Sequence, residues 1–69
     1  MALKELQPHE LRVMDEQSEL CDKIINLGEF LSKDKPPFID DEQWFLLNLQ
    51  LGVMAMYRDI LAQRIRAFT

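Results

Sequence analysis

The segment Ser-Lys-Asp-Lys-Pro-Pro-Phe-Ile-Asp-Asp at residues 32–41 divides the chain into two stretches, each with helical patterning. Pro36 keeps Lys35 out of the α region, and a proline cannot continue a preceding helix because it lacks the N–H and its ring clashes with the previous turn. The sequence therefore predicts a short proline-containing turn at about 34–39, with one helix before it and one after it.

The stretch before the turn predicts a helix at about 8–33. Pro8 suits the first helical position, where its missing N–H costs nothing, and Glu10 in the first turn complements the helix dipole. Apolar residues recur at spacings of three, four and seven and form a single stripe: Val13, Leu20, Ile24, Leu27 and Leu31. Acidic and basic residues lie between them, as in a one-sided amphipathic helix. A short extra turn is expected before this helix, at about Leu3 to Leu6.

The stretch after the turn predicts a second helix at about 40–68, with Asp40 or Asp41 as its N-cap. Its apolar residues form two neighbouring stripes. The first contains Leu47, Leu51, Met54, Leu61, Ile65 and Phe68, and the second contains Leu46, Val53, Tyr57 and Ile60. One partner helix covers only one such stripe. The sequence therefore predicts an all-α antiparallel hairpin, a single domain over 1–69, whose copies associate through the second stripe into a helical bundle.

Length and composition support the same interpretation. A chain of 69 residues buries a small core, so such chains usually need disulfides, a metal or oligomerisation. The single cysteine, Cys21, excludes a disulfide within the chain, and one Cys with one His falls short of a four-ligand zinc site. The lone cysteine suits a reducing cytosol. No apolar h-region precedes the first helix and no apolar run approaches a membrane span, so we expect a soluble intracellular protein.

The net charge of −4 argues against polymeric nucleic acid or an anionic membrane as a partner. The charge is unevenly spread, however. Between residues 58 and 69 there are three arginines, Arg58, Arg64 and Arg66, and one acid, Asp59. A local cationic site is therefore compatible with an acidic protein.

No catalytic constellation is evident, and we expect neither an enzyme nor a bound cofactor or metal. The possible nucleophiles Cys21 and Ser18 lie on the helix of His9, and three turns separate His9 from Cys21, so the two cannot meet within one chain. The two glycines stand alone and cannot form a phosphate-binding loop.

Cations and aromatic residues are better candidates for a binding site. Arg12 and Lys23 are eleven residues apart, three helical turns, and so share a face. Tyr57 and Arg64 are seven apart on the second stripe; tyrosine stacks on bases, and arginine stacks or forks onto phosphate. Each has an ordinary structural alternative. Lys23 could pair with Glu16 or Glu19, Arg64 could complement the helix end or an adjacent subunit, and His9 could be an exposed first-turn residue.

The aromatic and apolar residues around the turn also admit two interpretations. Phe38 and Ile39 are expected to fold back onto the end of the hairpin. Trp44 and Phe45 are expected to pack there too, although a stacking platform for a base is the alternative.

The ordered combination of these residues resembles a known family. The first half carries His9-Glu-Leu-Arg-Val, Glu16, Glu19-Leu20, Lys23-Ile24, Leu27 and Phe30-Leu31, and the second carries Leu46-Leu47, Gln50-Leu51, Met54, Tyr57, Leu61 and Arg64-Ile65. Over residues 9–68 the chain resembles the phage anti-CBASS sponge proteins, whose helical hairpin is shared with anti-Thoeris sponges. The resemblance implies a homo-hexamer that binds cyclic dinucleotides between protomers and cyclic trinucleotides in separate pockets. It also implies sequestration without cleavage, in the cytoplasm of the infected bacterial host.

The resemblance also implies roles for particular residues. Lys23 matches the phosphate-binding lysine of that family, and Arg12 lies within the matched run His9-Glu-Leu-Arg-Val. His9 stands near the place where the family often carries a stacking aromatic residue. Arg64 becomes the candidate for the trinucleotide pocket, together with Tyr57 and Arg58. Two other functions stay open from the sequence: a structural or adaptor oligomer that binds a protein through its apolar stripe, and a sponge for signals of the cyclic ADP-ribose type.

Overall fold

The computed structural model describes residues 5–69 as two helices packed into an antiparallel hairpin, which confirms the predicted all-α class. Helix α1 spans Pro8–Leu31 and helix α2 spans Asp41–Phe68. The connection is therefore residues 32–40, slightly longer than the predicted 34–39. The extra turn predicted at about Leu3 to Leu6 lies partly outside the described residues, and residues 5–7 are not helical.

Local hydrogen bonds define both ends of α1. The backbone N–H of Gln7 donates to Glu10 Oε1 at 2.8 Å, so the first-turn glutamate caps the start of the helix with its side chain. Glu10 is buried, and it lies in the first turn as the sequence predicted. At the other end, Ser32 donates its hydroxyl to the carbonyl of Glu29 at 2.7 Å, and its N–H donates to the carbonyl of Gly28. These bonds end α1 at Leu31, two residues before the predicted end.

Asp40 is the N-cap of α2, one of the two residues that the sequence indicated. Its Oδ1 accepts a hydrogen bond from the backbone N–H of Gln43 at 2.7 Å. The prediction that Phe38 folds back onto the hairpin is wrong, since 82% of Phe38 is exposed. Side chains at neighbouring positions of a tight turn point in different directions, and the side chain of Ile39 is half-buried.

The two neighbouring aromatic residues at the start of α2, Trp44 and Phe45, also point in different directions. Trp44 meets Phe30 of α1 with ring centroids 5.8 Å apart at an angle of 62°, as expected for packing at the end of the hairpin. Phe45 does not pack there and is 62% exposed. Consecutive helical residues project about 100° apart, so only one of the two can face α1.

The core is formed by the single apolar stripe predicted for α1 and the first of the two stripes predicted for α2. Leu61 is fully buried in a cluster with Val13 and Leu20, and four partly buried residues pack against this cluster: Ile24, Met54, Ile65 and Phe68. Three buried apolar residues make a very small core for a chain of this length.

The second predicted stripe of α2 is left uncovered. The hairpin measures 57 × 17 × 14 Å, so each helix contacts its partner along one side only. The structure adds two residues to this stripe, which we call the exposed stripe: Leu46, Leu49, Val53, Met56, Tyr57 and Ile60. Neither described helix combines the length and the apolar character needed to cross a membrane.

Candidate functional site

One face of α1 carries most of the candidate cations. His9, Arg12, Glu16 and Lys23 follow one another at spacings of three, four and seven, so their side chains project from the same side of the helix, and all four are exposed. We call the surface formed by Arg12, Glu16 and Lys23 the cationic face, after its two cations. At 1.5 Å per residue, Arg12 and Lys23 lie about 16 Å apart along the axis, with Glu16 between them.

Neither cation of this face is paired within residues 5–69. The ion pairs in this part of the chain are Lys35 with Asp41 and Arg58 with Asp59. The proposed structural alternative for Lys23, an ion pair with Glu16 or Glu19, is therefore not formed there. Both Arg12 and Lys23 keep their hydrogen-bond donors available to an anion from solution.

Tyr57 connects α2 to the cationic face. Its hydroxyl donates a hydrogen bond to Glu16 Oε2, across the groove between the two helices. Tyr57 also belongs to the exposed stripe, because Val53 precedes it by four residues and Ile60 follows it by three. The exposed stripe and the cationic face are thus neighbours, and the tyrosine ring stands where they meet.

The two candidate arginines of α2, Arg58 and Arg64, occupy different positions. Arg64 follows Tyr57 by seven residues, so it lies on the same side of α2, and it is exposed with no ion pair among the described residues. Arg58 is half-buried and both Nε and Nη2 donate to Oδ1 of the adjacent Asp59, at 3.2 and 3.1 Å. Arg64 is the freer of the two to bind a ligand.

The single hairpin presents these groups on an open surface. No enclosed pocket and no cluster of metal-ligating side chains occurs within residues 5–69. A second surface would have to cover the cationic face before a small ligand placed there could lose much of its contact with water.

The sequence indicated Glu16 as a possible ion-pair partner of Lys23 and as part of the run that resembles the sponge family, but it did not predict the contact with Tyr57. The spacing to Arg12 and Lys23 shows that Glu16 belongs to their face. The partner on α2 depends on the register and rotation of one helix against the other, which no local pattern specifies.

Comparison with known families now bears on this surface. The family model named Sequestin matches residues 7–67, which is nearly the whole hairpin. The chain belongs to the Sequestin family. The matched span contains all six candidate binding residues: His9, Arg12, Lys23, Tyr57, Arg58 and Arg64. No curated protein and no solved structure is matched by the chain.

The family name indicates a sequestering, sponge-type function. This agrees with the expected resemblance to sponge proteins, whose action is to hold a ligand. The match extends from the start of α1 through the turn and almost to the end of α2, so it covers both the cationic face and the exposed stripe.

Proposed function

We propose that this protein is a phage anti-defence sponge that binds cyclic di- and trinucleotide messengers of bacterial CBASS immunity in the cytoplasm of the infected host. One observation carries the proposal. Among the described residues, Arg12 and Lys23 lie unpaired on one face of α1, and the ring of Tyr57 lies beside that face. Cations beside a stacking ring suit a cyclic nucleotide, since its phosphates are anionic and its bases are flat.

Each candidate residue has a chemical role in this proposal. Lys23 and Arg12 bind phosphates of a cyclic dinucleotide, as a point charge and as a planar fork respectively. His9 and Tyr57 provide flat surfaces for bases. Arg64, together with Tyr57 and Arg58 seven and six residues before it, binds a cyclic trinucleotide in a second pocket. In this proposal the side chains themselves supply the charges of both sites, and neither site needs a metal or a cofactor.

Association of copies closes these pockets. The chain exposes 5629 Å², whereas a compact protein of its mass exposes about 4,500 Å². The surplus, about 1,100 Å², is comparable with the roughly 800 Å² per partner that a standard interface buries. A copy that covers the exposed stripe also comes to lie beside the cationic face, because Tyr57 belongs to one and reaches the other. We propose a homo-hexamer in which symmetry repeats each cation around shared pockets.

The proposed action is binding without bond cleavage. His9 precedes Cys21 by twelve residues, or about 18 Å along the same helix, so a nucleophile and a base do not meet within a hairpin. A protein that holds its ligand intact still lowers the free concentration of the messenger, and the host effector then stays unoccupied.

Calorimetry with a ligand panel tests the proposal. We would titrate the purified protein with cyclic di-AMP, cyclic di-GMP, cyclic tri-AMP and cyclic ADP-ribose, using linear AMP as a control. Saturable binding of a cyclic di- or trinucleotide, with unchanged ligand released after proteolysis of the protein, is the expected result. Binding of cyclic ADP-ribose alone would mean that the protein is a sponge for a different class of ligand. A cleaved ligand would identify an enzyme instead.

The exposed stripe supports one other function, a structural or adaptor role in which a helix of another protein covers α2. An apolar stripe flanked by polar residues is a common docking surface for an amphipathic helix. The ligand panel separates the two roles. A sponge binds a cyclic nucleotide, whereas a structural or adaptor oligomer binds none of the panel and binds its protein partner instead.

A further inference from the structure

The hydrogen bond between Tyr57 and Glu16 has no role in the function proposed so far, which uses the cations and the ring. The phenolic hydroxyl of α2 donates to the carboxylate of α1, and both side chains are at the surface. Tyr57 is 39% exposed, so a substantial part of it remains available to a ligand. The bond fixes the position of a ring that packing alone does not enclose.

The placement of a carboxylate on this face needs an explanation. Glu16 stands four residues after Arg12 and seven before Lys23, on the surface proposed to bind phosphates. A negative charge at this position repels an anionic ligand, so for phosphate binding alone Glu16 is unfavourable. Its contact with Tyr57 offers a compensating benefit.

We infer that Glu16 is a positioning residue that holds the ring of Tyr57 in the orientation in which a ligand base stacks on it. The inference rests on the proposed binding of cyclic nucleotides and assigns one more residue to that site. An exposed tyrosine rotates among staggered χ1 states, and binding must then select one of them at an entropic cost. A hydrogen bond to a charged acceptor selects the rotamer before the ligand arrives.

Two physical effects of Glu16 have opposite signs, which makes the inference testable. If Glu16 acts solely as a negative charge near the phosphates, its removal tightens binding. If it positions the ring, its removal weakens binding although a repulsive charge is lost. Glu19 serves as the matched control, since it is an exposed glutamate three residues further along α1, and the Tyr57 hydroxyl donates to Glu16 and not to Glu19.

The experiment measures the affinity of Glu16→Ala, Tyr57→Phe, the double variant and Glu19→Ala for the cyclic nucleotide that the wild-type protein binds. We expect Glu16→Ala and Tyr57→Phe each to weaken binding by roughly tenfold, the worth of a hydrogen bond to a charged group. The double variant should be no weaker than either single one, because both changes break the same bond. Glu19→Ala should bind as tightly as wild type or more tightly.

Two further measurements exclude a purely structural explanation. Glu16→Gln keeps an oxygen acceptor for the hydroxyl and should restore near wild-type affinity. Tyr57 is the single tyrosine of the chain, so its ring resonances are unambiguous in an NMR spectrum of the free protein. These resonances should shift in Glu16→Ala and stay in place in Glu19→Ala.

The outcomes separate this inference from the proposed function. If the wild-type protein binds a cyclic nucleotide and Tyr57→Phe or Glu16→Ala binds it equally well or better, the positioning role is wrong and the sponge function stands. Losses that multiply in the double variant contradict it as well. If the wild-type protein binds no member of the panel, the proposed function fails first, and the positioning role fails with it.

Discussion

The rings of Phe30 and Trp44 meet edge-on at the closed end of the hairpin, with centroids 5.8 Å apart and planes inclined by 62°. Phe30 lies one residue before the end of α1, and Trp44 lies in the first turn of α2. This contact joins the two helices at the place where the prolines of the connection prevent them from continuing. It sets the distance between the helices next to the turn.

The aromatic contact predicts a measurable coupling energy. A double-mutant cycle with Phe30→Leu and Trp44→Leu should give about 1 kcal/mol between the two rings, since edge-to-face pairs are worth this much beyond their buried area. Urea unfolding followed by circular dichroism provides the free energies of unfolding. Additive effects of the two changes would show that the rings pack independently. Phe45→Leu, on the exposed ring beside Trp44, is the control and should change stability little.

The N-cap of α2 predicts a second stability effect. Asp40→Ala removes the acceptor for the N–H of Gln43 and should cost about 1 kcal/mol. Asp34→Ala removes an exposed acid from the same connection and is the matched control. Thermal unfolding of both variants at neutral pH measures the difference. Equal unfolding temperatures in the two variants would mean that the cap does not stabilise α2.

The ion pair at the turn predicts a pH dependence. Lys35 Nζ lies 2.8 Å from Asp41 Oδ1, and this hydrogen bond together with the lysine charge lowers the pKa of the Asp41 carboxyl from its ordinary 3.8. A carboxyl with a lowered pKa in the folded state stabilises the fold above that ordinary value. The contribution is lost as the pH falls through the lowered pKa, because the carboxylate becomes protonated.

Asp41→Asn should therefore lower the Tm slightly at pH 7, and the difference from wild type should disappear as the pH falls through the lowered pKa of Asp41. The effect is small because the carboxylate is almost fully exposed, and 1 M salt should reduce it further. Thermal unfolding at several pH values measures it. A difference in Tm that stays constant down to the lowest pH would exclude the ion pair as its cause.

The exposed stripe predicts that one charge in its middle prevents association. Val53 is 64% exposed in the hairpin, so Val53→Glu leaves the intrachain core untouched and places a charge where a second copy packs. Light scattering should show smaller species for Val53→Glu, with helix content unchanged. Asn48→Glu adds the same charge to an exposed position outside the stripe and should keep the wild-type assembly.

An unchanged mass of the Val53→Glu assembly would show that the stripe is not the contact between copies. A monomeric wild-type protein at micromolar concentration would contradict self-association altogether.

The proposed roles of the cations predict which ligand each substitution binds more weakly. Lys23→Ala and Arg12→Ala should each weaken cyclic dinucleotide binding about tenfold to a hundredfold, as expected for a charge-assisted contact. Arg64→Ala should weaken cyclic trinucleotide binding and leave the dinucleotide affinity unchanged. Lys33→Ala removes an exposed lysine near the turn and controls for net charge. Calorimetry on the folded variants measures each constant. Unchanged affinities in both Lys23→Ala and Arg64→Ala would overturn the site assignment.

Local patterns were sufficient to predict the helices and most of their ends. Pro8 and Asp40 mark helix starts because their backbone chemistry suits those positions wherever the rest of the chain lies. The end of α1 was predicted less well, since Ser32 closes the helix with hydrogen bonds to its own last turn, and a serine admits several such conformations.

The candidate site could be predicted in part for the same reason. Arg12 and Lys23 share a face by helical spacing alone, and that relation holds in any fold that keeps α1 helical. The meeting of Tyr57 with Glu16 required the packed hairpin, because it joins residues forty-one positions apart in the chain.

The amino-acid sequence by itself determined that two helices form, where the prolines separate them, and that α2 carries more apolar surface than α1 can cover. Hydrophobic periodicity and backbone chemistry act over a few residues, so they can be recognised in the sequence before the fold is known. Only the tertiary structure decided that Trp44 turns inward while Phe38 and Phe45 face solvent, and that Tyr57 reaches Glu16. These contacts depend on the rotation and register of the two helices, which are set where Leu61 packs with Val13 and Leu20.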